Sequence, residues 1–308
     1  MAKRKDIAAE REKKRSLWVS RTIEVTGYDE ATVMQLLNTP RTQSVRFNPL
    51  KSSKTPVELK PIDWCENGYE LPKGYVPDEK AVANGELYIQ NAASWLPVLA
   101  LDPQSHDAIL DVCAAPGGKS SHIQAVTGNQ SKLTCNDNSK PRLIKLQANM
   151  ERLGAEASYT LCDATRLSRK FEPETFDRIL LDAPCSGEGL MTLDNMKLFD
   201  SWSVAHIRRL SDLQKKILSE SWQLLKPSGT LVYSTCTMAP EENEAVIDYF
   251  LRKNPDARLE MLDFPLENRI SALSSWNDKP FTNDLSNCLR LVPGKLAEAF
   301  FVAKLIKQ

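Results

Sequence analysis

The sequence has few histidines, an odd number of cysteines and no long hydrophobic run. Its three histidines, His106, His122 and His206, are scattered without the spacing of a metal-ligand set, so we expect no metal site. Seven cysteines without regular spacing favour free thiols in a reducing, cytoplasmic setting. No apolar stretch approaches the roughly 20 residues that span a bilayer, and no apolar segment follows the basic N-terminus. We therefore expect neither a membrane span nor a secretory signal.

Positive and negative charges balance, with 40 Lys and Arg against 40 Asp and Glu. A net charge of zero does not by itself indicate a nucleic-acid-binding protein, but a phosphate backbone responds only to the face presented to it. Residues 1–21 are locally basic, with eight Lys or Arg against three acids. This segment is predicted either to contact nucleic acid or to form a solvated charged helix.

The first 100 residues are predicted to form a separate helical and small α+β module. Charged helix-forming residues run to about Leu17, and a second short helix is expected over Ala31–Leu37. Short strands are predicted at Ser44–Phe47, Val57–Leu59 and Glu86–Ile89, between prolines that interrupt longer elements. The join to the second domain, residues 101–308, is expected near Ala100–His106.

Strands alternate with helices throughout the second domain. The predicted strands are Ala108–Val112, Lys132–Cys135, Tyr159–Leu161, Arg178–Leu181, Thr230–Ser234 and Phe300–Leu305. The fold class expected is α/β, with a doubly wound, mostly parallel sheet covered by helices on both faces. Ligands of such sheets bind beyond the carboxyl ends of the strands.

A loop of small residues joins the first of these strands to its helix, with the sequence Asp-Val-Cys-Ala-Ala-Pro-Gly-Gly-Lys over residues 111–119. Small residues let the backbone approach a ligand, and free N–H groups at a helix start favour a polar group. A phosphate-binding P-loop would need glycine five residues before Gly118, where Cys113 stands, and the nicotinamide fingerprint is absent.

Aspartates stand at three successive strand ends, at positions 111, 137 and 163. Asp137 is predicted to bind ribose hydroxyls and Asp163 an adenine amine, although a lone loop aspartate is more often a turn or cap residue. A nucleoside bound without a phosphate cradle indicates S-adenosylmethionine. The predicted cofactor-binding residues are Cys113, Ala114, Ala115, Pro116, Gly117, Gly118, Lys119, Asp137, Arg142, Asp163 and Asp182.

Two cysteines follow the fourth and fifth strands, in Asp-Ala-Pro-Cys-Ser-Gly at 182–187 and Tyr-Ser-Thr-Cys-Thr at 233–237. With Ala-Ala-Pro-Gly-Gly-Lys at 114–119, these motifs resemble the Sun family of RNA (cytosine-5) methyltransferases. The resemblance runs from about Leu101 to the end, and upstream through residues 46–51 and 88–91. It implies a seven-stranded sheet of the S-adenosylmethionine-dependent methyltransferase type, rRNA or tRNA as substrate, and RNA binding by the N-terminal module, residues 1–100. We expect a monomer. Two stretches depart from the family pattern: Glu-Ala-Phe-Phe at 298–301 and Gln-Asn-Ala-Ala-Ser at 90–94.

The chemistry of cytosine methylation explains the cysteines. Carbon 5 of cytosine is a poor nucleophile until a thiolate adds to carbon 6, and a free thiol of pKa about 8.5 is mostly protonated at neutral pH. The resemblance implies that Cys236 is the nucleophile, that Cys185 helps to eliminate the adduct, and that Asp182 contacts N3. Lys119 would orient Asp182 or the cofactor. Because DNA cytosine methyltransferases use the Pro-Cys cysteine, exchanged roles stay open.

Other interpretations also stay open. Either cysteine could be an inert buried thiol, and the chain could be an RNA-binding or assembly factor that has the fold but little activity. An amino methyltransferase would carry a second proline and an aromatic residue after Pro184, and a thiol redox enzyme would carry Cys-x-x-Cys. Leu190–Ser201 is predicted to be either a substrate loop or an ordinary connection. The target cytosine must be unpaired or flipped to be reached.

Overall fold

The computed structural model describes residues 2–53, 58–193 and 195–308, with side chains from residue 7 onward. The helices are α1 (Ala2–Thr26), α2 (Glu30–Leu37), α3 (Glu79–Ala83), α4 (Leu96–Leu101), α5 (Gly118–Thr127), α6 (Lys140–Arg152), α7 (Val204–Leu224) and α8 (Glu244–Lys253). Short 3₁₀ helices cover Ala92–Trp95, Ala164–Arg169, Glu188–Leu190 and Met196–Phe199. In this described part of the chain, no helix is long and apolar enough to cross a membrane.

The N-terminal part contains a four-stranded antiparallel sheet. Its strands are β1 (Gln43–Phe47), β2 (Pro61–Ile62), β3 (Cys65–Leu71) and β4 (Leu87–Ile89), in the order β2–β3–β1–β4. The strands predicted over residues 44–47 and 86–89 are present as β1 and β4. The strand predicted over Val57–Leu59 lies partly outside the described residues, and residues 58 and 59 form a turn. The sequence analysis missed β3 because Glu66, Asn67 and Gly68 break its apolar alternation.

The second sheet has nine strands. They are β5 (Ala108–Asp111), β6 (Lys132–Asp137), β7 (Ser158–Leu161), β8 (Phe176–Asp182), β9 (Leu225–Thr235), β10 (Ala257–Glu260), β11 (Arg269–Ile270), β14 (Leu289–Leu291) and β15 (Phe300–Lys307). A separate hairpin pairs β12 (Ser275–Trp276) with β13 (Lys279–Pro280).

The strand order is β7–β6–β5–β8–β9–β15–β14–β11, and β10 pairs with β15 beside β14. The five strands β5 to β9 are parallel, whereas β15 and the strands beyond it are antiparallel. The predicted α/β fold with a mostly parallel sheet is confirmed. The short edge strands β10 and β11 extend the expected seven strands to nine.

Helices cover both faces of the large sheet because successive strand residues point to opposite sides. Leu231 and Tyr233 of β9 pack with buried residues of α7 and α8, while Val232 between them packs with residues of α4, α5 and α6. The same alternation holds in β8 between residues 179, 180 and 181. The sheet is therefore doubly wound, and its parallel strands present their carboxyl ends at one edge.

The small sheet docks against helices of the large sheet. The side chain of Asn48 donates to the backbone oxygens of Gly85 and Leu153, at 2.8 Å each. A Cβ atom on Gly85 would clash with the backbone oxygen of Arg152, so the two backbones touch there. Helix α4 contains the predicted boundary at residue 100 and packs on β8, β9 and β15. The division into domains at that residue stays a prediction.

Helix α1 is longer than the expected segment ending near Leu17, and it packs against the chain rather than standing in solvent. Arg11 forms a two-pronged ion pair with Asp200, and Arg21 pairs with Glu241 at 2.7 Å. Trp18 is buried edge-on against Phe199. Basic side chains of this helix therefore bind other parts of the chain, which departs from the expectation of a helix surrounded by solvent. Contact of this segment with nucleic acid stays a prediction.

Candidate active site

The carboxyl ends of the parallel strands surround a cavity of about 220 Å³. Most of the predicted cofactor loop lines it, and so does Asp182 at the end of β8. The lining residues are Tyr88, Gln90, Ser94, Asp111, Cys113, Ala114, Ala115, Pro116, Gly118, Lys119 and Asp182. Among the predicted cofactor residues, Gly117, Asp137, Arg142 and Asp163 do not line this cavity.

The two glycines of the loop serve different purposes. Gly117 has a φ of +103°, a conformation that favours glycine, and it begins α5. A Cβ on Gly118 would lie 2.8 Å from the amide nitrogen of Gln90 and 3.2 Å from the ring of Tyr88. The loop backbone is therefore as close to the small sheet as a glycine allows. Arg142 supports it from outside by donating to the Ala115 oxygen at 2.9 Å.

The three strand-end aspartates have different environments. Asp111 is fully buried, and burial raises its pKa to about 7; one of its oxygens accepts from Ser120 at 2.6 Å and the other has no partner. Asp137 is buried, accepts from the Ser139 N–H and lies 3.3 Å from Arg142. An unpartnered acidic oxygen at the cavity and a loop of mostly small residues, which leaves its backbone accessible, fit a ligand with polar, cationic groups such as S-adenosylmethionine.

Asp163 is exposed, and it caps the 3₁₀ helix at 164–169 by accepting from the Thr165 N–H at 2.9 Å and hydroxyl at 2.8 Å. These hydrogen bonds lower its pKa. The structure thus gives Asp163 the capping role that is common for a loop aspartate, and its contact with adenine stays a proposal.

Asp182 stands between a cation and a hydroxyl. Lys119 Nζ donates to one carboxylate oxygen at 2.7 Å, and Ser234 Oγ donates to the other at 2.8 Å. Burial lowers the pKa of Lys119, but the attraction and hydrogen bond of Asp182 outweigh it, so the pKa is raised. The lysine is thus held as a cation that donates to Asp182, the pairing predicted as one of its two possible roles.

The two cysteines meet. Cys185 follows β8 and Cys236 follows β9, and their sulfur atoms are 3.3 Å apart. Parallel pairing of β8 with β9 sets Asp182 opposite Ser234, which brings the two following loops together. Both thiols are partly accessible, and all seven cysteines of the chain are free. The contact with Cys236 and burial raise the pKa of Cys185 well above its ordinary value, so this thiol is held protonated.

Sequence reasoning assigned no role to Tyr88, Gln90 or Ser94, although these residues close the cavity from the side of the small sheet. Gln90 is oriented by the Trp95 indole N–H at 3.1 Å, and the Tyr88 hydroxyl accepts from Asn149 at 3.2 Å. Only the docking of the two sheets reveals them, because they lie far from the motif loops in the chain. The one sequence signal for a role of these residues was the resemblance of residues 88–91 to the Sun family.

Comparison with known proteins agrees with this geometry. A family model described as "16S rRNA methyltransferase RsmB/F" matches residues 98–306. The chain is 34% identical over 284 residues to the tRNA (cytosine(49)-C(5))-methyltransferase of Pyrococcus abyssi, covering 87% of this chain and 89% of that protein. It is 35% identical over 284 residues to the ribosomal RNA small subunit methyltransferase F of Vibrio parahaemolyticus, covering 87% of this chain.

The chain spans 57% of the length of that Vibrio protein. A solved methyltransferase homologue from Pyrococcus horikoshii has 27% sequence identity and a TM-score of 0.77, covering 94% of this chain and 99% of that one. The family match includes the cofactor loop and both cysteine loops. The chain therefore belongs to the RsmB/F family of S-adenosylmethionine-dependent RNA methyltransferases.

Proposed function

We propose that the protein methylates carbon 5 of a cytosine in rRNA or tRNA through a covalent bond between Cys236 and the base. One observation carries the proposal: two thiols lie 3.3 Å apart on the loops that follow β8 and β9, and Asp182 at the end of β8 lines the predicted cofactor cavity. A methyltransferase that acts on an amino group needs no thiol. A pair of thiols next to a carboxylate suits addition to a pyrimidine ring and its reversal.

The steps assign one task to each side chain. The Cys236 thiolate adds to carbon 6, while the proton shared between Asp182 and the base moves to N3. The electron pair released toward carbon 5 forms the new bond to the methyl group that S-adenosylmethionine would supply, and the electrons of the broken sulfur–methyl bond would stay on the cofactor's sulfur. Water then takes the carbon-5 proton, the bond between carbon 6 and the Cys236 sulfur breaks with release of the thiolate, and the N3 proton returns to Asp182. Cys185 assists this elimination.

Lys119 holds Asp182 from the cavity side, at 2.7 Å, and so orients its carboxylate toward the flipped base. The loop at 113–118 and Asp111 would hold the cofactor's amino-acid end, with Asp137 binding its ribose. Arg142 would support the loop and neutralise Asp137. In the polar cavity, the ion pair counts for more than in water because solvent screens it less.

The proposal is tested with purified protein, S-adenosylmethionine labelled in its methyl group, and separate pools of unmodified rRNA, tRNA and DNA. We expect labelled 5-methylcytidine in one RNA pool and none in DNA. Transfer to no pool, despite measurable cofactor binding, would contradict the proposal and favour an RNA-binding or assembly factor.

We also propose a cytoplasmic location, because the seven free thiols suit a reducing compartment.

The roles of the thiols are tested by two substitutions. Cys236→Ala should abolish methyl transfer and leave cofactor affinity unchanged. Cys185→Ala should accumulate a covalent protein–RNA adduct that survives a denaturing gel. The reverse pattern, with an adduct in Cys236→Ala alone, would show that the roles are exchanged.

A further inference from the structure

Beneath the two cysteine loops lies a group of buried polar residues that the steps above do not use. Glu242 and Asn243 are both fully buried and immediately precede α8. Burial raises the pKa of Glu242 to about 7. Buried polar side chains are costly unless they are paired, so their partners show what they stabilise.

Glu242 holds the loop that carries Cys185. One of its carboxylate oxygens accepts from the backbone N–H of Ser186 at 3.0 Å and from the side-chain amide of Gln214 at 2.8 Å. The same amide of Gln214 donates to the backbone oxygen of Pro184 at 2.9 Å. The backbone on both sides of Cys185 is therefore bound by one carboxylate–amide pair.

Asn243 holds the loop that carries Cys236 in a similar way. Its side-chain oxygen accepts from the Thr235 hydroxyl at 2.6 Å, and its side-chain nitrogen donates to the Thr237 backbone oxygen at 2.9 Å. Thr235 and Thr237 flank Cys236. Two consecutive residues thus each hold the loop of one cysteine: Glu242 binds the Cys185 loop and Asn243 binds the Cys236 loop.

The two loops are also bound to each other. The hydroxyls of Ser186 and Thr237 lie 2.9 Å apart, and the Gly189 N–H donates to the Cys236 backbone oxygen at 2.9 Å. Glu242 and Asn243 share a planar peptide bond, so the distance between their two holding points is covalently limited. The pairing of β8 with β9 brings the two loops together, and this pair of residues further restricts the spacing of the two sulfur atoms.

We propose that Glu242 and Asn243 are positioning residues for the two thiols. Glu242, through Ser186 and Gln214, orients Cys185 for breakdown of the adduct, and Asn243 orients Cys236 for addition to the base. Neither side chain touches a reacting atom. The inference rests on the proposed function, and it adds that each residue acts on a different step.

The test measures adduct formation and adduct breakdown separately, in single turnovers with the RNA that accepts the methyl group in the labelling assay. Glu242→Ala should form the adduct at nearly the wild-type rate and break it down roughly tenfold more slowly, because small displacements of a reacting group cost about this much or more. The adduct should then accumulate on a denaturing gel, as in Cys185→Ala. Glu242→Gln keeps an acceptor oxygen at the same place and should restore release.

Asn243→Ala should have the opposite signature, with slow adduct formation and no accumulation. Lys253→Ala, an exposed change on the same helix, is the matched control and should behave like the wild type. A second variant is included in case Glu242→Ala does not fold. Gln214→Met removes the hydrogen bonds to Glu242 and to the Pro184 oxygen, and it should also slow breakdown of the adduct. Cofactor binding and thermal unfolding report the folded state of every variant.

Wild-type release in both Glu242→Ala and Gln214→Met would overturn the inference. Equal slowing of adduct formation and adduct breakdown in both Glu242→Ala and Asn243→Ala would overturn it as well. A merely structural role predicts that each substitution slows the two steps alike. Failure of Cys185→Ala itself to form an adduct, in the same assay, would instead overturn the proposed roles of the thiols and this inference with them.

Discussion

At the scale of single residues, the ion pair of Lys119 with Asp182 connects the cofactor loop to the thiols. Its lysine belongs to the start of α5 and its carboxylate to the end of β8, so the pair spans two strand ends of the sheet. Lys119 Nζ also lies 5.6 Å from the centre of the Phe300 ring. Because the Lys119 side chain both packs and carries a charge, replacing it with a neutral residue of similar length tests the effect of the charge alone.

Lys119→Met should therefore lower the rate of methyl transfer by roughly 10²-fold, within the range that a positioned acid–base group contributes. The Asp182 carboxylate loses the cation that orients it, whereas the backbone loop that would bind the cofactor is unchanged. Single-turnover rates and calorimetric cofactor binding measure the two effects. Lys132→Met, an exposed lysine at the opposite end of the sheet, is the control. An unchanged transfer rate would contradict the orienting role.

A second ion pair lies deep below the antiparallel edge. Arg290 and Glu244 are each at most 1% exposed and bind through two hydrogen bonds, and Arg290 also donates to the Met238 oxygen at 2.9 Å. Removing one partner leaves an uncompensated buried charge.

Arg290→Met should lower the free energy of unfolding by about 3–5 kcal/mol, measured by urea denaturation. Adding Glu244→Leu should recover part of this loss, because both charges are then absent. A single substitution that costs less than the double one would show that the pair is not a coupled unit.

At the scale of elements, α1 joins the segment between β8 and α7 to the rest of the molecule. Its buried residues form one cluster with Met191, Phe199 and Trp202 of that segment. Burial of large apolar side chains, rather than surface ion pairs, is expected to supply most of the docking energy.

Trp18→Ala should accordingly lower the free energy of unfolding by about 3–5 kcal/mol and increase hydrogen exchange at residues 196–202. Arg11→Ala, which removes an exposed ion pair from the same helix, should lower the free energy of unfolding much less than Trp18→Ala does, because solvent screens exposed charges. Equal losses in the two variants would mean that charge, not packing, holds α1.

Elements were predictable where a local pattern suffices. The apolar runs of β5 and β8 predicted these two strands to within a few residues. The short β10, β11 and β14 were not predicted, because a strand of two to four residues has too little periodicity to be recognised. The docking of α1 was not predicted either, since a charged helix looks the same whether its partners are solvent or Asp200.

At the scale of the whole molecule, several carboxyl groups are buried near the active site, and their burial makes stability depend on pH. Burial raises the pKa values of Asp111, Glu242 and Glu298 to about 7 in each case. The folded protein therefore binds more protons than the unfolded chain between the ordinary carboxyl pKa and about pH 7. Stability from this source is present at low pH and is lost as the pH rises through 7.

Glu298 offers the cleanest test, because its nearest ionic partner, Arg41, is 3.8 Å away. Relative to Glu298→Gln, the wild type should lose up to about 1.4 kcal/mol of unfolding free energy per pH unit between pH 5 and 7. Urea denaturation of both proteins at several pH values measures this difference. Burial lowers the pKa of His122, which makes stability rise with pH, but this contribution is the same in both proteins and cancels in the difference. Parallel stability curves for the two proteins would show that Glu298 is not buried as a neutral acid.

The sequence by itself determined the alternation of the main strands with helices and the residues at the ends of those strands, because apolar periodicity and short motifs are local properties of the chain. These motifs, through their resemblance to a known family, single out Asp182, Cys185 and Cys236. Only the tertiary structure decided that the two sulfur atoms lie 3.3 Å apart, that Tyr88 and Gln90 close the cavity, and that Glu242 and Asn243 support the thiols. These relations depend on strand pairing and on packing between distant segments, which no local pattern encodes.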